Sequence, residues 1–171
     1  MGHRELIHDV YLASYQRLVL QLYPVTGDLG EAQEVVQDAF VKLLASPALI
    51  AGLDNPEAWL RIVAVNLARS RHRRGRILQR LLGRVAAGPT EVPGASPDHV
   101  ALMAALRALP VGQREAIALH YLADLPLIEV AELLRVSVGT VKSRLSRGRA
   151  ALAGLLGERT LDSLEGTHRP A

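Results

Sequence analysis

Hydrophobic positions recur at helical spacing along most of the chain, and no stretch alternates with the period of a strand. The first periodic segment runs from about Arg4 to Tyr23, and Pro24, which lacks an N–H, is expected to close it. Asp28 then offers an N-cap, with Glu31 in the capping-box position behind it. The helix this opens gathers Ala32, Val35, Val36, Ala39, Phe40 and Leu43 on one face and leaves Gln33, Glu34, Gln37, Asp38, Val41 and Lys42 on the other. After "ASPALIAGLDNP", which reads as a loop, Asn55 followed by Pro56 starts another helix. That helix, "EAWLRIVAVNLARSRHRRGR", begins apolar, with Trp59 and Val63 on its core side, and ends basic.

The segment 83–97, "GRVAAGPTEVPGASP", holds three Pro and three Gly in fifteen residues, a density that neither helix nor strand survives. It reads as a flexible linker between a domain over 1–82 and a second over 98–157, with a polar tail at 158–171 expected to fray. Helical signal returns from about Asp98 to Leu109, where Pro110 breaks it. "GQREAIALHYLAD", "LIEVAELLRV" and "VGTVKSRLSRGRAAL" follow as further helices. The predicted fold is all-α: two small helical domains joined by a flexible linker, with no internal repeat.

From Leu127 onward the pattern is a short helix, a tight turn and a second helix. Ala131 is small where two such helices must approach, and Val130, Leu134, Val136 and Val141 form the wedge between them. Ser137 is placed to cap the second helix. In that helix Val141, Leu145, Gly148 and Leu152 face inward, leaving Lys142, Ser143, Arg144, Ser146, Arg147 and Arg149 outside with no acid among them. A helix of this kind fits the DNA major groove, where Arg pairs bidentately with guanine and Lys or Ser holds phosphates. The plainer reading is a solvated basic helix. Arg135 stands in the turn where the backbone tends to go left-handed and Gly is usual, at a cost of about 1 kcal/mol.

Composition narrows the class. Hydrophobic residues make up 49% of the chain but aromatics only 4%, so the core rests on Leu, Val, Ile and Ala, which suits helix-on-helix packing. The formal charge is only +3, yet between Arg61 and Arg84 there are eight Arg and no acid, so the field is local and strongly positive. The chain has no cysteine, which excludes a disulfide scaffold and a thiolate zinc site. "MGHRELIHDVYLASY" lacks the apolar run of a signal peptide, and Leu6 breaks the myristoylation pattern. No apolar stretch approaches the ~18 residues of a membrane span. A cytoplasmic protein without membrane insertion is expected. The six His are scattered, and there is no phosphate loop or nucleophile elbow, so no enzyme chemistry, metal or cofactor is expected. Glu31, Glu34 and Asp38 need no metal, because a cap and a docking face account for them.

Two blocks carry a family resemblance. "LPVGQREAIALHYLADLPLIEVAELLRVSVGTVKSRLSRGRAAL", with "GTVKSRLSR" its most specific piece, resembles the promoter-reading C-terminal domain of bacterial RNA polymerase sigma factors of the extracytoplasmic-function group. "TGDLGEAQEVVQDAFVKLL" with "NPEAWLRIVAVNLARSRHRR" resembles the other domain of that group, and together the blocks span about 5–84 and 98–156 in the family's order. The resemblance implies that Glu34, Gln37, Asp38 and Val41 dock on the β′ coiled-coil of core RNA polymerase, and that the C-terminal domain meets the β flap. It implies that "SPALIAGLDNP" captures a flipped base of the minus-ten element, with Asn66 at the floor of the pocket. Arg61, Arg69, Ser70, Arg71, Arg73 and Arg74 would serve the same DNA, the arginines by holding phosphates. Thr140, Lys142, Ser143, Arg144, Ser146, Arg147 and Arg149 would read the minus-thirty-five element. An anti-sigma factor masking both domains is a further implied partner. Ser70 stands where many members carry Asp, and the linker carries less acid than is common, which leaves minus-ten preference and linker path open.

A rival reading is a stand-alone dimeric helix-turn-helix regulator whose N-terminal half senses or dimerises. A third is an interaction protein that binds polymerase without melting DNA. The rival predicts binding to palindromic duplex DNA without polymerase.

Overall fold

The computed structural model describes residues 2–83 and 88–157, and every regular element among them is helical. The expected tail at 158–171 and part of the expected linker, 84–87, lie outside the described residues. The chain divides between Thr90 and Glu91 into two compact units.

In the first unit, α1 (His3–Thr26) runs past the expected stop at Pro24. A proline in the last turn removes one helical hydrogen bond only, and the helix ends instead at Gly27. Gly27 adopts φ 76 and donates its N–H to the Tyr23 carbonyl at 2.8 Å. Asp28 accepts from the Glu31 N–H at 2.7 Å and opens α2 (Leu29–Leu44), whose buried face is the expected Ala32, Val35, Val36, Ala39, Phe40 and Leu43. The stretch read as a loop contains one helical turn, α3 (Pro47–Ile50), and Ile50 is buried. Asn55 then caps α4 (Pro56–Leu82) by accepting from the Ala58 N–H at 3.0 Å, and Gly83 closes it in the left-handed region. Leu60, Ala64, Val65 and Ala68 of α4 pack against α1 and α2. Trp59 and Val63 are half-buried rather than core, because the packed stripe runs one position later.

The described part of the linker is hydrogen bonded. Thr90 donates its N–H to the Asp28 carboxylate at 2.6 Å and accepts from the Leu29 N–H at 2.9 Å, which ties it to the cap of α2.

In the second unit, Ser96 caps α5 (Pro97–Ala108), so the helix starts a residue before the expected Asp98. The helix α6 (Val111–Ile117) continues into one π-helical turn, Ala118–Leu122, which ends with Asp124 at φ 54. Next come α7 (Leu127–Leu134) and α8 (Val138–Leu156), and α8 packs on α5, α6 and α7. Met103, Leu106, Ile117, Leu119, Val130, Leu134, Val141 and Leu152 form a core closed to solvent.

Candidate nucleic-acid interface

The turn between α7 and α8 has the form the sequence suggested. Arg135 sits at φ 55, ψ 49, its N–H donating to the Glu132 carbonyl at 3.2 Å, while the Val136 N–H reaches the Ala131 carbonyl at 3.0 Å. This is a Schellman cap, with arginine where glycine is usual. Ser137 accepts from the Thr140 N–H at 3.1 Å, and the two hydroxyls lie 2.9 Å apart, so Thr140 is partly engaged in the cap.

The inward stripe of α8 is Val141, Leu145, Gly148 and Leu152. Gly148 lets α6 and α8 approach closely: a Cβ there would lie 2.5 Å from Ile117 Cδ1, so any side chain would require the buried Ile117 to shift. Outward, Lys142, Ser146, Arg147 and Arg149 are exposed, and Ser143 is half-buried. Arg149 meets the Tyr121 hydroxyl at 3.5 Å beside an open cleft of about 520 Å³ that Lys142 and Ser146 also line.

Arg144 departs from its expected outward pose. Its guanidinium lies over Gly112 of α6, so that a Cβ on Gly112 would come within 2.9 Å of Cζ, and its Nη1 is buried without a hydrogen-bond partner. The position borders the inward stripe, three residues after Val141, and the missing side chain at Gly112 leaves the space it fills. Periodicity alone could not show that space, because it is formed by a different helix.

In the first unit the basic end of α4 carries two kinds of arginine. Arg73 and Arg74 are exposed. Arg61 is committed internally: it donates to Gln21 Oε1 at 2.9 Å and to Glu57 at 3.5 Å, with 15% of its side chain exposed. Glu57 is also bidentately paired with Arg17, so α1 and α4 are joined by one charged network.

Arg71 bridges α4 and α2, giving one hydrogen bond to Glu34 at 2.5 Å and another to Asp38 at 2.7 Å. Burial works against its charge, but the hydrogen bonds to Glu34 and Asp38 outweigh it and hold its pKa above the ordinary arginine value. An expected phosphate-binding residue and two expected polymerase-docking residues are thus one cluster. Arg69 and Ser70 are half-buried beside it in sequence.

Asn66 is half-buried on α4.

The outer face of α2 also borders a groove that sequence reasoning missed. Between α1 and α2 lies a cavity of about 560 Å³ lined by Ile7, Tyr11, Gln37, Phe40, Val41 and Leu44, among others. Val41 is 60% exposed and Leu44 49%, while Tyr11 stacks on Tyr15 with ring centroids 4.8 Å apart and meets Phe40 edge-on at 5.1 Å. Tyr11 and Leu44, apolar on exposed helical positions near Val41, were the available signal. Among the described residues there is no group of His, Asp and Glu arranged for a metal ion, and no helix long and apolar enough to cross a membrane.

Comparison with known proteins gives a family match in each unit. Residues 10–77 match the family described as Sigma-70 region 2, and residues 99–152 match Sigma-70, region 4. The chain is 30% identical over 167 residues to the ECF RNA polymerase sigma factor SigW of Bacillus subtilis (strain 168), spanning 88% of this chain and 89% of that one. It is 31% identical to the ECF RNA polymerase sigma factor EcfG of Rhodopseudomonas palustris (strain TIE-1), over 88% of this chain and 84% of that one. Among solved structures, the sigma factor RpoE in complex with the anti-sigma factor NepR from Bartonella quintana matches with a TM-score of 0.72. The identity is 28%, over 87% of this chain and 95% of that chain. With both regions matched in order along one chain, and relatives that align over nearly its whole length, the protein belongs to the ECF family of RNA polymerase sigma factors.

Proposed function

We propose that this chain binds core RNA polymerase, directs it to promoters by reading the minus-thirty-five and minus-ten elements, and helps open the DNA there. The observation that supports this reading is the presence of two separate cationic helix faces, on α4 and α8, each in a unit that matches one sigma-70 region. A groove reader alone has use for only one.

The division of labour follows the units, with residues 1–82 serving polymerase binding and minus-ten opening and 98–157 serving the minus-thirty-five element. On α8, Lys142, Ser146, Arg147 and Arg149 face the major groove, Arg147 with a fork suited to guanine and Lys142 with a point charge suited to phosphate. On α4, Arg73 and Arg74 hold phosphates and give affinity that falls with salt. Asn66 offers both a donor and an acceptor to the edge of an extruded base. Extrusion costs a few kcal/mol, and contacts in the pocket must return it. The apolar groove with Gln37 and Val41 is the docking face for the β′ coiled-coil, and the second unit meets the β flap. The chain then acts in the cytoplasm, where its polymerase is, and performs no bond chemistry itself. An anti-sigma factor is the natural regulator, since a solved relative is held by one.

Run-off transcription with core polymerase tests this, on a promoter found from transcripts that rise when the chain is overexpressed. A defined transcript that depends on the chain is expected. No stimulation, together with no co-purification with core, overturns the reading. Tight retention of a palindromic duplex without polymerase would favour a stand-alone regulator instead.

A further inference from the structure

The Arg71 cluster joins two surfaces that the proposed function keeps apart. Glu34 and Asp38 stand one helical turn apart on α2, on the face offered to polymerase, and Arg71 stands on α4 next to the phosphate-holding Arg73 and Arg74. A guanidinium grips a phosphate best through a bidentate fork. Arg71 spends one N–H of Nη1 on Glu34 and one of Nη2 on Asp38, so its charge is countered by two carboxylates in the free chain and both terminal nitrogens are held by them. The carboxylates themselves are open: Glu34 has 66% of its side chain exposed and Asp38 49%, against 33% for Arg71. An incoming cation can therefore reach the acids from the solvent side without first moving the arginine. Ion pairs at such exposure are weak enough to exchange.

We propose that Arg71, Glu34 and Asp38 form an exchange latch, in which the acidic face holds a DNA-gripping arginine in the free chain and releases it when a basic helix of the polymerase takes its place. The proposal rests on the sigma reading above and adds to it the coupling between docking and DNA affinity. The two carboxylates change partner without losing their counter-charge, and the freed guanidinium extends the phosphate row of Arg73 and Arg74. Coupling of this kind is reciprocal, so polymerase docking and DNA binding strengthen each other by the same factor. The free chain then spends less time on random nucleic acid, while the docked chain grips it.

The test is the salt dependence of binding to a fluorescein-labelled single-stranded oligonucleotide of mixed sequence, using the full chain without polymerase. The variants are Glu34→Gln/Asp38→Asn and the same pair with Arg71→Gln. Each neutralised phosphate steepens the log-log salt slope by about 0.7 on a single strand, which amounts to about fivefold over one decade of salt. The double variant is therefore expected to bind about fivefold tighter near 0.1 M salt and with a steeper slope by that amount, and the triple variant to lose the gain. A gain that persists in the triple variant overturns the latch, because removing two negative charges anywhere nearby would do the same. No gain in the double variant, whether both proteins bind alike or neither binds, also overturns it and leaves Arg71 as a brace between α2 and α4. Run-off transcription separates the two levels. If the wild-type chain stimulates core while the double variant gains nothing, the latch alone fails. If the wild-type chain does not stimulate core, the reading beneath it fails.

Discussion

The two basic helices of this protein carry their charge in opposite ways. On α4, Arg61 and Arg71 are bound by the chain's own acids and amides, Glu57, Gln21, Glu34 and Asp38, and only the later arginines stand free in solvent. On α8 there is no acid at all, and Lys142 and Arg147 project from a helix whose other face is fully packed. The first arrangement makes charge part of the fold. The second makes the fold a rigid support for charge. A count of cations cannot tell these apart, and substitutions at matched positions can.

The largest expected effect is at the support. Gly148→Val would drive a branched side chain into Ile117, which is 1% exposed and would have to shift within the core. Overpacking of this kind costs typically 1–3 kcal/mol, and the β-branched residue puts this variant at about 3 kcal/mol. Hydrogen exchange should show loss of protection in peptides from 98–157, with promoter use lost alongside. Unchanged protection there would mean that the α6–α8 contact does not hold α8 in place.

Next come two arginine truncations that should behave as opposites. Arg147→Ala should leave thermal stability unchanged and cost about 1–3 kcal/mol in promoter discrimination, as expected for a groove-facing bidentate contact. Arg61→Ala should lower stability by about 1–2 kcal/mol, because Gln21 and Glu57 lose a charged partner and the buried stem of the side chain loses its packing. Its effect on DNA affinity should be no larger than that loss of fold implies. Melting curves read beside run-off transcription decide both. An Arg61 variant that melts normally but fails on DNA would undo the contrast between the helices.

What was legible in the sequence was local. Asp28, Asn55 and Ser137 cap the helices they seemed placed to cap, because a cap is made within three residues of itself. The buried face of α2 follows from spacing alone, and so does the inward stripe of α8. What was not legible was made between helices. Arg71 meets Glu34 and Asp38 across separations of 37 and 33 residues, and no periodicity within α4 reveals what faces it. The same holds for Arg144, whose place depends on the bare backbone of Gly112 in α6. Pro24 was misread for a different reason: a proline stops a helix it interrupts, but in the final turn there is little helix left to stop.

The smallest effect sharpens the comparison at the joint between α7 and α8. Arg135 holds a left-handed backbone at φ 55, a conformation that crowds Cβ against the carbonyl and that glycine adopts without strain. Its side chain is exposed, and the Schellman bonds around it are made by backbone alone, so nothing in the contacts repays the strain. Arg135→Gly should therefore stabilise the second unit by about 1 kcal/mol, less the extra entropy that glycine gives the unfolded chain. Chemical denaturation followed by a probe in 98–157 measures the gain. If the gain appears while promoter use is unchanged, the arginine is a tolerated blemish. If promoter use falls as stability rises, the cation at the turn joins Lys142 and Arg147 in the proposed DNA-facing set, and the charged surface of α8 begins one turn before the helix does.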